Sequence, residues 1–262
     1  MPAKEPGYLD LRGHQIFSYE WENNGEAVLA LHGGLSQTSH WDYVLTPELE
    51  PDFHLFAYDR TGHGYSADRE GSFHFDFQIR EAIAYLEDVV KEPAHLIGWS
   101  DGGIIAMSIA INRPELVKSL VLVGANHHYS GTLIHMPFEE PSDEDKAEYA
   151  MTSPDAPHTL IEKIKKMLNI WQSQPDIPLS ELTKIQCPTL IIAGDDDVIS
   201  HEHTLGMYRA IELSQLAIMP GTSHIAPKEK PALFSALVLQ FLTDLNYPVT
   251  KMPIRRTSNQ PE

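Results

Sequence analysis

The apolar residues of this chain fall into short continuous runs. A run of four to six apolar residues bounded by turn residues is typical of a β-strand buried on both faces, as in a parallel sheet. Such runs occupy residues 27–31, 53–58, 95–99, 119–124, 189–193 and 216–219. Two earlier segments, residues 8–11 and 15–21, are joined by a short turn and predict an antiparallel hairpin at one edge of the sheet.

Most segments between these runs carry apolar residues at the spacing of an amphipathic helix. The predicted helices cover residues 38–50, 75–90, 102–112, 201–211 and 231–245. Strands that alternate with helices fold into a mostly parallel sheet with helices on both faces. We therefore predict an α/β fold built on a mostly parallel sheet of eight strands.

The alternation breaks between residues 126 and 184, where prolines recur, an acidic patch follows, and only residues 159–172 have clear helical spacing. A structureless loop of this length is uncommon in a compact domain. We interpret residues 126–184 as an inserted helical cap, or lid, and assign the core to residues 1–125 and 185–246. Residues 247–262 are polar and rich in proline, and they predict a flexible tail.

The apolar run 95–99 leads into Gly98-Trp99-Ser100-Asp101-Gly102, which matches Gly-x-Ser-x-Gly. In this motif a strand ends in a sharp turn that carries the serine, and a helix follows. The glycines allow close packing where a Cβ would collide with the neighbouring strand or helix. The motif therefore nominates Ser100 as a nucleophile.

A serine hydroxyl is a weak nucleophile and needs a base within hydrogen-bond reach. His224 follows the last predicted strand and is the candidate base. An imidazole in this role is oriented by a carboxylate, and Asp197 follows the strand at 189–193. Asp195 and Asp196 precede it directly, so the three consecutive aspartates leave the choice of carboxylate open by one position.

These motifs together resemble the α/β-hydrolase family, in its small, lidded, esterase-like form. The resemblance covers His32-Gly33-Gly34, Asp59-x-x-Gly62-x-Gly64-x-Ser66, the serine turn, Gly194-x-x-Asp197 and His224, in the family's order along most of the chain. Within the family, Gly-Trp-Ser-Asp-Gly-Gly-Ile and Leu122-Val123-Gly124-Ala125-Asn126 are most similar to hydrolases resembling valacyclovirase, which cleave amino-acid esters.

The resemblance implies an α/β-hydrolase fold and a catalytic triad of Ser100, Asp197 and His224, because the Gly-x-x-Asp spacing selects Asp197. Two backbone amides form an oxyanion hole in this family. One amide belongs to Asp101, and the resemblance assigns the other to Gly34, with Leu35 as the alternative. It implies no cofactor and no metal.

The Asp101 side chain has two interpretations. It caps the helix that begins there, as aspartate often does, or it holds an ammonium group of the substrate. His127 and His128 lie at the start of the inserted segment. They either line the pocket or belong to an ordinary exposed loop. Trp99 either packs within the serine turn or forms a wall of the substrate pocket, and Leu35 is a further candidate for that wall.

The chain has 19 Lys and Arg against 37 Asp and Glu, a formal net charge of −18. Such a charge repels nucleic-acid phosphates and anionic lipids, so we expect neither nucleic acid nor a membrane as a partner. The partner that the resemblance implies is a small ester. Cys187 is the single cysteine, which excludes an internal disulfide. No targeting segment or long apolar run is evident, so we expect a cytoplasmic protein.

Two short motifs favour simpler interpretations. Residues 62–67 match a loose dinucleotide fingerprint, but no apolar helix follows, so we interpret them as a turn. His201 and His203 are two apart on a predicted helix and point in different directions, so a metal site is not expected.

The sequence thus predicts a serine hydrolase of small carboxylic esters that acts through an acyl-serine intermediate. The same triad serves lactones, amides or N-terminal peptides, perhydrolysis and C–C bond cleavage in this family, so these substrates stay open. A ligand receptor that keeps the fold without catalysis is the alternative from another class.

Overall fold

The computed structural model describes residues 4–134 and 137–255. Eight strands form one sheet in the order β1-β2-β4-β3-β5-β6-β7-β8. Their bounds are β1 Lys4–Leu11, β2 His14–Trp21, β3 Ala27–Leu31, β4 His54–Asp59, β5 Ala94–Trp99, β6 Val117–Val123, β7 Thr189–Asp196 and β8 Ser214–Ser223. Strand β2 is antiparallel to β1 and β4, and the remaining pairs are parallel. The predicted eight-stranded, mostly parallel sheet is confirmed.

Helices cover both faces of the sheet. They are α1 Asp42–Leu49, α2 Phe75–Tyr85, α3 Asp101–Asn112, α4 Asp143–Thr152, α5 Leu160–Trp171, α6 His201–Ala210, α7 Ala226–Glu229 and α8 Pro231–Thr243. Apolar side chains of α2, α3 and α6 fill the core on one face, and those of α1 and α8 fill the core on the other. Because strand side chains alternate between faces, strands β2 to β8 contribute to both cores.

Some element ends differ from the predicted ones. The predicted helix 75–90 is α2 followed by a π-helical turn at Leu86–Val90, and the predicted helix 38–50 is a 3₁₀ turn at Thr38–His40 followed by α1. The last strand is longer than predicted, from Ser214 to Ser223. Helix ends are set by capping contacts, which apolar spacing does not report.

The segment between β6 and β7 contains two helices, α4 and α5, where apolar spacing predicted one. Helix α5 buries Met167 and Ile170, whereas α4 has no buried side chain, so it carries no apolar stripe. Its signal is instead a capping box, in which Ser142 and Asp145 satisfy each other's backbone amides. Sequence reasoning missed this box.

Polar contacts join the inserted segment to the sheet domain. Glu148 of α4 accepts a hydrogen bond from His40, with 2.6 Å between Nε2 and Oε1. Lys166 of α5 pairs with Asp68 at 2.6 Å. The indole Nε1 of Trp171, also on α5, lies 3.0 Å from Asp101 at the start of α3. The segment therefore lies over the carboxyl ends of β3 and β5, and the cap boundaries 126–184 stay a prediction.

Part of the predicted tail, residues 256–262, lies outside the described residues. Residues 247–255 form no helix or strand, but Arg255 donates to the carbonyl of Ile211 at 2.6 Å and to that of Ser214 at 3.1 Å. This end of the described chain is thus bound to the α6–β8 connection. Within residues 4–134 and 137–255, no helix is long and apolar enough to cross a membrane.

Candidate active site

Ser100 stands at the turn between β5 and α3 in a strained backbone conformation, with φ 54° and ψ −117°. Non-glycine residues rarely occupy this region, at a cost of order 1–3 kcal/mol. Close packing holds the turn in place: a Cβ on Gly98 would lie 2.3 Å from the Gly102 carbonyl oxygen, and one on Gly102 would lie 2.0 Å from that of Leu31. In this conformation the hydroxyl reaches His224, and Ser100 lines a cavity.

The structure brings Ser100, His224 and Asp197 into one hydrogen-bonded chain. His224 Nε2 lies 2.9 Å from Ser100 Oγ, and His224 Nδ1 lies 2.8 Å from Asp197 Oδ1. The indole of Trp99 donates to the His224 carbonyl at 3.0 Å and so fixes the loop that carries the imidazole. An imidazole placed in this way can take a proton from the hydroxyl while the carboxylate stabilises the resulting cation.

Among the three consecutive aspartates, Asp197 is the one that contacts His224. Asp195 instead accepts a hydrogen bond from the Thr222 amide at 3.0 Å, and Asp196 is exposed. Burial alone would raise the pKa of the Asp197 carboxyl. The hydrogen bond and charge of His224, with the Ile199 amide at 3.0 Å, outweigh burial and hold that pKa below its ordinary value. Asp197 is therefore a carboxylate at neutral pH.

Arg60 and His32 are both fully buried, and they hold the loop after β3 from its interior side. Arg60 donates to the carbonyls of His32 at 3.1 Å and Gly33 at 2.7 Å. The His32 ring accepts from the Arg60 amide at 3.1 Å and lies 2.8 Å from the Gly33 carbonyl through Nδ1. Burial, followed by the charge of Arg60, lowers the pKa of His32 well below its usual range, so the ring is neutral.

This arrangement gives the Gly34 amide a direction. The peptide between Gly33 and Gly34 is trans, so its C=O and N–H point opposite ways. Since the Gly33 carbonyl points to buried Arg60, the Gly34 N–H points to the other side, where Gly33 and Gly34 line a cavity with Ser100. The Asp101 amide opens α3 and has no carbonyl within that helix to bond.

The Asp101 side chain does not cap α3. Ser100 occupies the N-cap position, and no side chain makes a capping hydrogen bond. The carboxyl is buried instead: Oδ1 accepts from Trp171 Nε1 at 3.0 Å, and Oδ2 has no hydrogen-bond partner within the described chain. Burial raises the pKa of this carboxyl, against the opposing charge of Arg60 and the bond from Trp171. The capping interpretation is therefore wrong.

A cavity of about 810 Å³ lies over Ser100 and His224, between the sheet and the inserted segment. Its lining is mostly apolar and includes Leu35, Trp99, Ile104, Tyr129, Leu168, Trp171, Val198 and Ile225. Trp99 and Leu35 thus stand where sequence reasoning put them. His127 and His128 are not among its lining residues. His127 stacks on His203 at 4.1 Å between ring centroids, and His128 pairs with Asp176 at the base of the segment.

Three residues at this site were missed from the sequence. Arg60 holds the loop after β3 through hydrogen bonds to its carbonyls. Trp171 contacts Asp101 from the inserted segment, and Lys228 lines the cavity four residues after His224. The position of Arg60 directly after a buried strand was an available signal. No local pattern marks Trp171 or Lys228, because each reaches the site through a contact between distant parts of the chain.

Comparison with known proteins gives the following matches. The family described as "Alpha/beta hydrolase family" matches residues 28–237. The chain is 25% identical over 240 residues to "Serine hydrolase BPHL" of Mus musculus, covering 86% of this chain and 82% of that protein. It is 27% identical over 243 residues to "AB hydrolase superfamily protein" of Gibberella zeae, with coverage of 89% and 86%.

Among solved structures, a serine hydrolase involved in carbazole degradation, the CarC enzyme, is similar in fold. The TM-score is 0.76 at 22% sequence identity, and the match covers 91% of this chain and 98% of that one. A structural likeness at this identity bears on the architecture of the chain and not on its substrate.

Proposed function

Because this chain belongs to the alpha/beta hydrolase family, we propose that it is a serine hydrolase that cleaves small carboxylic esters through an acyl-serine intermediate. The observation that carries the proposal is the position of His224, whose two ring nitrogens lie 2.9 Å from the Ser100 hydroxyl and 2.8 Å from the Asp197 carboxylate.

In the first half of the reaction, His224 Nε2 takes the proton of Ser100 Oγ as the oxygen attacks the ester carbonyl carbon. The carbonyl oxygen becomes an oxyanion. His224 then gives its proton to the leaving alcohol, the C–O bond breaks, and an acyl group stays on Ser100. Asp197, held ionised by its hydrogen bonds, stabilises the imidazolium throughout.

The oxyanion is stabilised by the backbone amides of Gly34 and Asp101. Arg60 and His32 orient the Gly33 carbonyl toward the protein interior, so the Gly34 N–H faces the cavity. This orientation supports Gly34 over Leu35 as the donor from this loop. Donors held in this way need no reorganisation as charge develops, which is the main source of their effect. In the second half, His224 removes a proton from water, the hydroxide adds to the acyl carbon, and Ser100 leaves with that proton.

The assignment of Asp197, rather than Asp195 or Asp196, as the triad carboxylate gives a direct prediction. Asp197→Asn should lower kcat/KM for 4-nitrophenyl acetate by roughly 10³- to 10⁴-fold, because an amide neither fixes the imidazole tautomer nor stabilises its charge. Asp196→Asn, which changes an exposed carboxylate one residue away, should stay within about threefold of the native protein. Equal losses in the two variants would remove Asp197 from the mechanism.

Asp101 supports a finer proposal, that the substrate carries an α-ammonium group. Its Oδ2 is buried, lacks a hydrogen-bond partner in the described chain, and belongs to a residue that lines the cavity beside Ser100. A buried carboxylate oxygen without a donor is costly, and an ammonium group would supply one. The proposed substrates are then amino-acid esters.

This proposal is checked with alanine methyl ester and its analogue without the amino group, propionic acid methyl ester. Asp101→Asn should lower the preference for the amino ester over its analogue by about tenfold or more, because the charge partner is lost while the backbone amide is kept. The ratio of the two kcat/KM values is the readout. A preference that is the same in both proteins would discard the ammonium group.

The broader proposal is tested by labelling with a fluorophosphonate probe, followed by a panel of esters of increasing acyl length. We expect one label per chain, on Ser100, and turnover of short esters. Labelling without ester turnover would direct the search to lactones, amides or C–C bonds. A chain that stays unlabelled would indicate a binding protein that keeps the fold without an activated serine.

A further inference from the structure

Lys228 brings a positive charge to the wall of the cavity that contains Ser100. It lies on α7, four residues after His224, and its ammonium nitrogen is 5.7 Å from the centroid of the Trp99 ring. Trp99 directly precedes Ser100 and donates to the His224 carbonyl. The ammonium group therefore lies beside an indole that adjoins both the proposed nucleophile and the proposed base.

Within residues 4–134 and 137–255, no carboxylate forms an ion pair with Lys228. Glu148 attracts it from α4, but Glu148 Oε1 already accepts from His40 at 2.6 Å and Gln37 at 3.1 Å. Partial burial lowers the pKa of Lys228, and the charge of Glu148 opposes that shift. A partly desolvated ammonium group on a largely apolar wall gains free energy when an anion joins it.

Asp101 and Lys228 are the Asp, Glu, Lys or Arg side chains among the described residues that line the cavity. Lys228 lies against the ring of Trp99, which packs into the core that faces α1 and α8. Asp101 contacts Trp171 of α5, which packs against the other core. The two charged groups thus contact different aromatic side chains of one cavity, and they are separate recognition elements.

We propose that Lys228 binds a carboxylate on the substrate and so selects esters that carry a singly charged anionic group. The inference rests on the proposed ester hydrolysis and names a second recognition element beside Asp101. A carboxylate fits better than a phosphate, because one lysine offers a single positive charge and a dianion would also face the repulsion of Asp101 and Glu148. The net charge of −18 opposes the approach of an anion, so binding of a carboxylate at this wall depends on the local charge of Lys228.

Matched substrates test the inference. On the acyl side, 4-nitrophenyl hydrogen glutarate is compared with the 4-nitrophenyl ester of glutaramic acid, in which an amide replaces the carboxylate. On the alcohol side, the acetate ester of 4-(hydroxymethyl)benzoic acid is compared with that of the corresponding benzamide. Lys228→Met removes the charge and keeps the length of the side chain, and Lys228→Arg keeps the charge.

Lys230 provides the matched control. It carries the same charge two residues away, donates to the Pro220 carbonyl, and is not among the residues that line the cavity. In at least one substrate pair, Lys228→Met should lower the ratio of kcat/KM for the carboxylate over the amide by roughly three- to tenfold. Lys230→Met should leave the ratio unchanged, Lys228→Arg should restore most of it, and added salt should reduce it.

Glutarate and benzoate also serve as probes without turnover. They should protect Ser100 from the fluorophosphonate in the native protein and less so in Lys228→Met. If both substrate ratios and this protection are the same in Lys228→Met and in the native protein, the inference is overturned. Failure of the proposed function is distinct, because the native protein would then neither take the label nor turn over any of the four esters.

Discussion

Replacement of Ser100 with alanine should lower kcat/KM for 4-nitrophenyl acetate by roughly 10⁴-fold or more. The hydroxyl is the nucleophile of the acylation step, and without it no acyl-serine intermediate forms. Residual turnover would come from direct attack of water on the ester while the proposed oxyanion hole stabilises the charge, so a small rate above background is still expected.

The Ser100→Ala variant should fold as the native protein does. Alanine has a Cβ like serine, so the strain at φ 54° is the same, and the glycine contacts around the turn do not change. Thermal unfolding monitored by circular dichroism is the check on folding, and loss of fluorophosphonate labelling is the check on the site. A folded Ser100→Ala protein that keeps most of its activity would refute the mechanism.

The Gly102→Ala substitution should destabilise the protein by more than about 3 kcal/mol or prevent it from folding. The added Cβ would lie 2.0 Å from the carbonyl oxygen of Leu31 and 2.8 Å from that of His32, and both contacts are with backbone atoms that a rotamer change does not relieve. Helix α3 would have to move away from β3 or β5, and the loop that carries Gly34 would move with it. Urea unfolding gives the change in free energy.

Gly206 of α6 is the control for this prediction. The nearest atom to a Cβ at that position is a methyl group of Leu179 at 3.9 Å, so space is available. Alanine has a higher helix propensity than glycine, so Gly206→Ala should stabilise the protein by about 0.5–1 kcal/mol. If Gly102→Ala had an effect as mild as this, the close contact between the serine turn and β3 would be wrong.

The sequence by itself determined the sheet and most of its helices, and it nominated Ser100 and His224 as nucleophile and base. Continuous apolar runs report burial on both faces, and repeated strand–helix units leave few topologies, so strand number and the edge at which the strands end follow from local patterns. The serine turn is also a local feature, because the glycines that it needs are its own neighbours in the chain.

Other features depended on contacts that no local pattern encodes. The residue pattern alone left three adjacent aspartates open, and only the family resemblance selected Asp197. The tertiary structure shows that Asp197 faces His224, since the directions of the three side chains depend on how β7 ends against β8. Helix α4 was missed because it buries no side chain, and its stability depends on a capping box rather than on an apolar stripe. The hold of Arg60 on the Gly33 carbonyl likewise joins two loops 27 residues apart.

In the cavity, too, some features follow from local patterns and others depend on tertiary contacts. Apolar spacing could assign α5 to the core, but the sequence could not tell that Trp171 reaches Asp101 or that Lys228 faces the cavity. It also left open whether His127 and His128 line the pocket, whereas in the structure His127 packs on His203 and neither histidine is among the lining residues. Periodicity specifies which residues are buried, whereas the partners of a polar side chain are set by elements that meet only in the folded chain.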